Sequence, residues 1–186
     1  MSRITNLVQT STRTMLSLVL LGGLVAASPL FAQDPVHANH APAKLVQDVR
    51  AATQQFLNVN NAGPAGYAPA FGCVTGPDHG AMGIHYVNGV LVGDGLIDVN
   101  HPEALIYEPE GSKLRLVGVK YIVDAATWLA NNNDVPPSLD GQDFQFIAAP
   151  NRFHLADFFE LHVWAWRDNP QGAFVDWNNR VTCEGE

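Results

Sequence analysis

Apolar residues recur at helical spacing near the start of the chain and at alternating spacing near its end, and these two stretches organise the rest. Leu45, Val46, Val49, Ala52, Phe56 and Leu57 fall on one helical face, with Lys44, Gln47, Asp48, Arg50 and Gln54 opposite. The pattern predicts an amphipathic helix with Pro42 in its first turn, running to about Asn58 and stopped by Asn60-Asn61-Ala62-Gly63. From Gly63 to Gly83 the chain holds six Gly, three Pro and Cys73, which reads as irregular backbone that needs an external tie to stay ordered. Ile84–Val87 reads as a short strand. Ala104–Tyr107 and Lys113–Val123 read as a strand pair, connected through Glu108-Pro109-Glu110-Gly111-Ser112. Asp124 is placed to cap a short helix through Trp128 and Leu129, ended by the Asn131–Asn133 triplet and Pro136-Pro137. Phe144–Ile147 adds a strand, Asp157–Trp166 a strong one, and a turn at Asp168–Gly172 leads to Phe174–Trp177. Strands outnumber helices and hairpins suit the spacing better than βαβ units. The expected fold is therefore α+β, an N-terminal helix packed on a small, mostly antiparallel sheet.

The stretch from Phe158 to Trp166 carries the most information. Side chains of a strand alternate faces, so Phe159, Leu161, Val163 and Ala165 form an unbroken apolar row that must face the core. Phe158, Glu160, His162, Trp164 and Trp166 then share the other face. Glu160 and His162 lie roughly 7 Å apart along the strand by its rise per residue. A solvated face does not carry two tryptophans, so this side is expected to be half-buried or to line a cleft.

Residues 1–42 change the picture of the whole. Arg3 and Arg13, with no acid before Asp34, precede the apolar run Met15–Ala27, and Leu30-Phe31-Ala32 follows. This is the layout of a secretory leader cleaved near Ala32, its apolar run being shorter than the roughly 20 residues that span a bilayer. Residues 1–32 are thus expected to be a signal peptide, 33–42 a flexible tail containing His37 and His40, and 43–186 a single exported domain. No cysteine stands near the cleavage point to take a lipid, so no stable membrane anchor is expected. The chain has 10 basic and 18 acidic residues; without the two leader arginines it has 8 against 18, a net charge of −10. Such a chain cannot neutralise a run of phosphates, which excludes nucleic acid as a partner, and it favours cations, polar ligands or basic surfaces. Its two cysteines, Cys73 and Cys183, would reach a periplasmic or extracellular compartment and are expected to form a disulfide.

Catalytic signatures are sparse. Ser112 and Ser138 are the serines beyond the leader, and neither lies in a Gly-x-Ser-x-Gly elbow. No phosphate-cradling glycine loop precedes a helix, and Asp94, Asp98 and Asn100 lack the spacing of a calcium hand. Three readings of the Glu160–His162 face remain. A carboxylate and an imidazole can bind one divalent cation, zinc or copper, with His79 and His85 as further ligands. The tryptophans with Glu160, Asp157, Asp176 and Asn178 suit a polar ligand such as a sugar, and paired carboxylates could perform acid–base hydrolysis. Alternatively, Glu160 and His162 satisfy each other and the tryptophans form a second core layer.

The ordered series Gly80-Ala81-Met82-Gly83-Ile84-His85-Tyr86-Val87-Asn88, Pro102–Pro109, Leu116–Tyr121 and Glu160-Leu161-His162-Val163-Trp164-Ala165-Trp166, with Asn169-Pro170-Gln171-Gly172 and Trp177-Asn178, resembles a group of bacterial exported proteins of unknown function. The resemblance spans about residues 44–183. It implies export and one shared domain, and draws His85 and His162 together as the paired histidines of a shared site. In that group the position of Lys120 is often acidic, and a lysine there is a poor metal ligand because a protonated ammonium cannot coordinate. The expected site therefore comprises His85, His162 and Glu160, with His79 as an optional ligand and Trp164, Trp166 and Tyr86 lining it.

Overall fold

A computed structural model of the chain describes residues 43–76 and 78–186. The expected leader, its cleavage point, the tail and His37 and His40 lie outside the described residues.

Lys44–Thr53 forms α1, and its apolar face turns Leu45, Val46 and Val49 inward. The helical path continues to Leu57, but the last turn tightens into a 3-10 helix over Gln54–Leu57, short of the expected α-helical end at Asn58. Thr53 ends α1 with its hydroxyl donating to the Val49 carbonyl. Two further 3-10 turns follow at Val59–Asn61 and Gly63–Ala65.

The strands are β1 (Ala68–Pro69), β2 (Val74–Gly76), β3 (Gly80–Val87), β4 (Ala104–Glu110), β5 (Lys113–Asp124), β6 (Ser138–Leu139), β7 (Gln142–Asp143), β8 (Gln145–Ile147) and β9 (Phe158–Val163). Two short helices, α2 (Gly89–Val92) and α3 (Ala125–Asn131), sit between them, α3 being capped as expected by Asp124 through the Thr127 N–H. The main sheet has the order β1-β3-β4-β5-β9-β8, with β2 also paired to β3, and each of these pairings is antiparallel. The fold is therefore α+β, a helix followed by an antiparallel sheet.

Three boundaries differ from the sequence expectation. β3 starts at Gly80 and not at Ile84, because Gly80, at φ +83°, lets the C-terminal segment come close: a Cβ there would stand 2.2 Å from the Asn178 carbonyl oxygen. The β4–β5 hairpin closes through Gly111-Ser112 alone, with Pro109 inside β4. That proline is tolerated because β3 pairs only with Ala104–Tyr107 and leaves the far end of β4 free on that side. β9 ends at Val163 and not at Trp166: the Ala165 N–H bonds back to the Val163 carbonyl, and Trp166 and Arg167 N–H groups both reach the Val117 carbonyl.

The sheet separates two interiors. One face, with Leu105, Tyr107, Val119, Tyr121, Phe159, Leu161 and Val163, packs under α1 and forms the principal apolar core. The other is covered by the 148–157 loop and the C-terminal segment, and holds two smaller apolar clusters around Ile106–Val117–Trp164 and Ala104–Ile122–Phe158. A Cys73–Cys183 disulfide, 110 residues apart in sequence, ties the C-terminal segment to the glycine-rich stretch. Such a bond belongs to an oxidising, extracytoplasmic environment.

Candidate functional site

The second sheet face carries a row of polar side chains between its two apolar clusters. Strand register places Val87, Ala104, Lys120 and His162 in one row across β3, β4, β5 and β9, with Ile122, Glu160 and Gln145 in the next. His85, Ile106 and Gly118 form the row on the other side. β3 and β9 are separated by two strands, roughly 14 Å at ordinary strand spacing. Yet the His85 and His162 ring centroids lie 6.2 Å apart, edge to face. The sheet is thus strongly curled and this face is its concave side, so side chains from distant strands converge. An irregularity between Ile106 and Tyr107 adds to the bend.

Lys120 and Glu160 form an ion pair, each with 2% of its side chain exposed. The ammonium also lies 4.5 Å from the Phe153 ring centroid and 5.7 Å from that of Phe158. Lys120 is thus held by one carboxylate and two aromatic faces. A lysine in the apolar run Leu116–Val123 is an anomaly already visible in the sequence, since lysine is almost never fully buried unless paired.

Asp176 approaches from the C-terminal segment. Ala81 and Asn178 exchange backbone hydrogen bonds at 3.2 Å, and the Trp164 indole donates to the Val175 carbonyl at 2.6 Å. These contacts fix the carboxylate 3.3 Å from His162 Nδ1, which is itself 3.9 Å from Glu160 Oε1. One ligand atom from each of Glu160, His162 and Asp176 lies within 4.8 Å of the other two. Oriented with its amide nitrogen inward, Gln145 donates to both Asp176 oxygens at 2.9 and 3.0 Å. Burial raises the Asp176 carboxyl, but its contact with His162 and the charge of Lys120 outweigh this and hold it below the ordinary carboxylate value. The Trp164 ring stacks on His162 with centroids 6.1 Å apart, and Gly118 leaves room for it: a Cβ there would stand 3.3 Å from the Trp164 ring.

His162 is 1% exposed and neither of its ring nitrogens has a partner in hydrogen-bond geometry. The same holds for His85, at 2% exposed. Burial holds the His85 imidazole well below its ordinary value, Lys120 and His162 add to the effect, and the Gly83 backbone opposes it. His85 is therefore neutral, with one N–H donor and one acceptor nitrogen.

His85, His162, Glu160 and Trp164 share the concave face, although His85 stands outside the group of converging ligand atoms. His79 is exposed, 6.5 Å from the Trp177 ring, in the wall of an open cleft of about 430 Å³ that also includes Asp176 and Gln145. Two expected lining residues belong elsewhere. Tyr86 neighbours His85 in β3 and so points to the opposite face, where its ring packs on Tyr107. Trp166 lies beyond the end of β9, and its indole donates to the Thr53 hydroxyl on the α1 side. Asp157 is exposed and accepts the Ala149 N–H, which removes it from the Glu160 face. Asp176 and Gln145 join the site through a loop bridge and an edge strand, which no periodicity signals.

No protein-family model matches the chain, and neither a curated protein nor a solved structure matches it. The functional reading therefore rests on the side chains themselves.

Proposed function

We propose that this is an exported protein, periplasmic or extracellular after cleavage near Ala32, that binds a divalent cation, zinc or copper, through Glu160, His162 and Asp176. The observation that carries the reading is His162, a buried imidazole whose Nδ1 lies 3.3 Å from one carboxylate and 3.9 Å from another. Ligand bonds of 2.0–2.2 Å in a tetrahedral site imply ligand–ligand separations of about 3.4 Å. His162 and Asp176 already stand at that separation, and the Glu160 carboxylate, 3.9 Å from the ring nitrogen and within 4.8 Å of Asp176, has to move in to close on an ion. Asp176 belongs both to the triad and to the open cleft, so a fourth ligand, a water or a small molecule, would enter from that side. The disulfide supports the location.

Hydrolysis by paired carboxylates is supported less well, because Glu160 is buried and engaged by Lys120. A purely structural role accounts for the His162–Asp176 contact and the Gly83 backbone beside His85, but leaves the second nitrogen of each buried ring without a partner.

Equilibrium titration of the chelator-treated mature protein with zinc and with copper tests the proposal. One equivalent is expected to bind, with affinity falling at least about tenfold in His162→Gln and Asp176→Asn. Less than about a tenth of an equivalent bound, with no thermal shift at saturating metal, overturns it.

A further inference from the structure

A cavity of about 230 Å³ lies beneath the loop that joins β8 to β9. Val87, Ile122 and Phe158 line it from the sheet, Val92 from the end of α2, and Phe153 and Leu155 from the loop. It exposes almost no polar surface. Lys120 and His85 reach its wall, but the Lys120 ammonium is paired with Glu160 and both His85 nitrogens are sealed from solvent.

We propose that this cavity binds a small neutral hydrocarbon, a single aromatic ring with at most a short alkyl substituent, and that residues 150–156 are its cover. Neutrality follows from the wall. A charge or hydroxyl placed there would exchange water for carbon, and a buried hydroxyl without a partner forfeits roughly tenfold or more in affinity. Size follows from the volume, since an apolar cavity of roughly 150 Å³ lined by Leu, Ile and Phe stays dry and admits benzene. An aromatic guest is favoured because the Phe153 and Phe158 rings, with centroids 6.2 Å apart and planes inclined at 66°, offer it both a face and an edge.

The role of the loop follows from its bonding. Asn151 accepts the Phe153 and Leu155 N–H groups through its side chain and donates to the Leu155 carbonyl, and the His154 N–H reaches the Asn151 carbonyl. These hydrogen bonds stay inside the loop. Its hold on the neighbouring chain is through side chains, Phe153 against Phe71 with centroids 5.2 Å apart and the Arg152 guanidinium 5.2 Å from the Trp177 ring. Phe153 also lines an open groove beside Cys73 and Arg152, so its ring forms the partition between cavity and surface. A segment bonded to itself and seated by apolar contacts lifts without breaking hydrogen bonds to the sheet, which gives a ligand its way in. The inference does not rest on the metal reading, because none of Glu160, His162 and Asp176 lines this cavity.

Toluene and benzyl alcohol, which differ by one hydroxyl, are the probes, titrated calorimetrically into the mature protein with a chelator present. Toluene is expected to bind with one-to-one stoichiometry, and benzyl alcohol at least about tenfold more weakly. Val92→Phe and Leu155→Trp fill the cavity from two different elements, so one folded variant suffices. Either should weaken toluene at least about tenfold while the far-UV spectrum and melting temperature of the free protein are retained. Saturating toluene should also slow amide hydrogen exchange over residues 150–156 at least about threefold. No saturable toluene binding at about 1 mM overturns the proposal. So does benzyl alcohol binding as tightly as toluene, or unchanged toluene affinity in a folded filled variant. Toluene binding with unchanged exchange over residues 150–156 overturns the loop's part in it.

Discussion

Lys120 and Glu160 meet across β5 and β9 with both side chains almost wholly removed from solvent. The register sets Lys120 opposite His162 and Glu160 opposite Ile122, so the ion pair runs diagonally between rows and draws Glu160 away from β8. Taking two charges out of water costs several kcal/mol each, which their attraction repays only in good geometry.

Removal of one partner should therefore differ sharply from removal of both. Lys120→Met is expected to cost roughly 3–5 kcal/mol in denaturant unfolding, because a buried carboxylate is left uncompensated. Lys120→Met/Glu160→Gln should lie within about 2 kcal/mol of wild type or above it. Equal losses for the single and double variants would show that the pair is not coupled.

Glu103 predicts a pH dependence of stability. Its carboxyl is 1% exposed and accepts the Ile122 N–H at 2.9 Å. Burial pushes it up from 4.5 to about 8, against the opposing pull of that hydrogen bond. An acid whose folded value is raised binds more protons folded than unfolded, so it favours folding below about 4.5 and withdraws that stability as pH rises towards 8. The span corresponds to a loss on the order of 5 kcal/mol. Glu103→Gln keeps an acceptor without the charge. It should match wild type near pH 4 and exceed it increasingly up to about pH 8, as read from urea midpoints. Parallel curves for the two proteins across that range would contradict this.

Reduction of Cys73–Cys183 opens a loop whose ends are 110 residues apart. Chain entropy sets the expected cost at about 4–5 kcal/mol. The Cys73→Ser/Cys183→Ser variant should unfold at markedly lower denaturant. An unchanged midpoint would mean that the C-terminal segment is held by its other contacts, among them the Glu186 carboxylate on the Cys73 N–H.

Much of the fold was legible because burial imposes a period. The six alternating residues of β9 place Phe159, Leu161 and Val163 in the main core and Glu160 and His162 opposite, as the sequence pattern requires. The cysteine pair followed from its number and from the expectation of export. What the pattern could not convey was curvature. His85 and His162 become neighbours because the sheet curls, and nothing in local periodicity encodes how far apart strands bring their side chains. Trp166 was misplaced by extending alternation past Val163, where the chain turns back on itself, and Tyr86 by assigning a neighbour of His85 to the same face. Asp176 arrives on irregular backbone, positioned by a bridge at Ala81–Asn178 that depends on Gly80 lacking a side chain. Lys120 gave a signal, a charge amid apolar residues, that reads more readily as a site departure than as an internal cation.

Anomalous diffraction at the zinc edge, from crystals of the mature protein grown with zinc, tests the metal centre most directly. The expected result is a single strong peak about 2.0–2.2 Å from His162 Nδ1 and from one oxygen each of Glu160 and Asp176. A peak confined to exposed groups such as His79, or no peak near His162 at full zinc occupancy of the crystal solution, would contradict it.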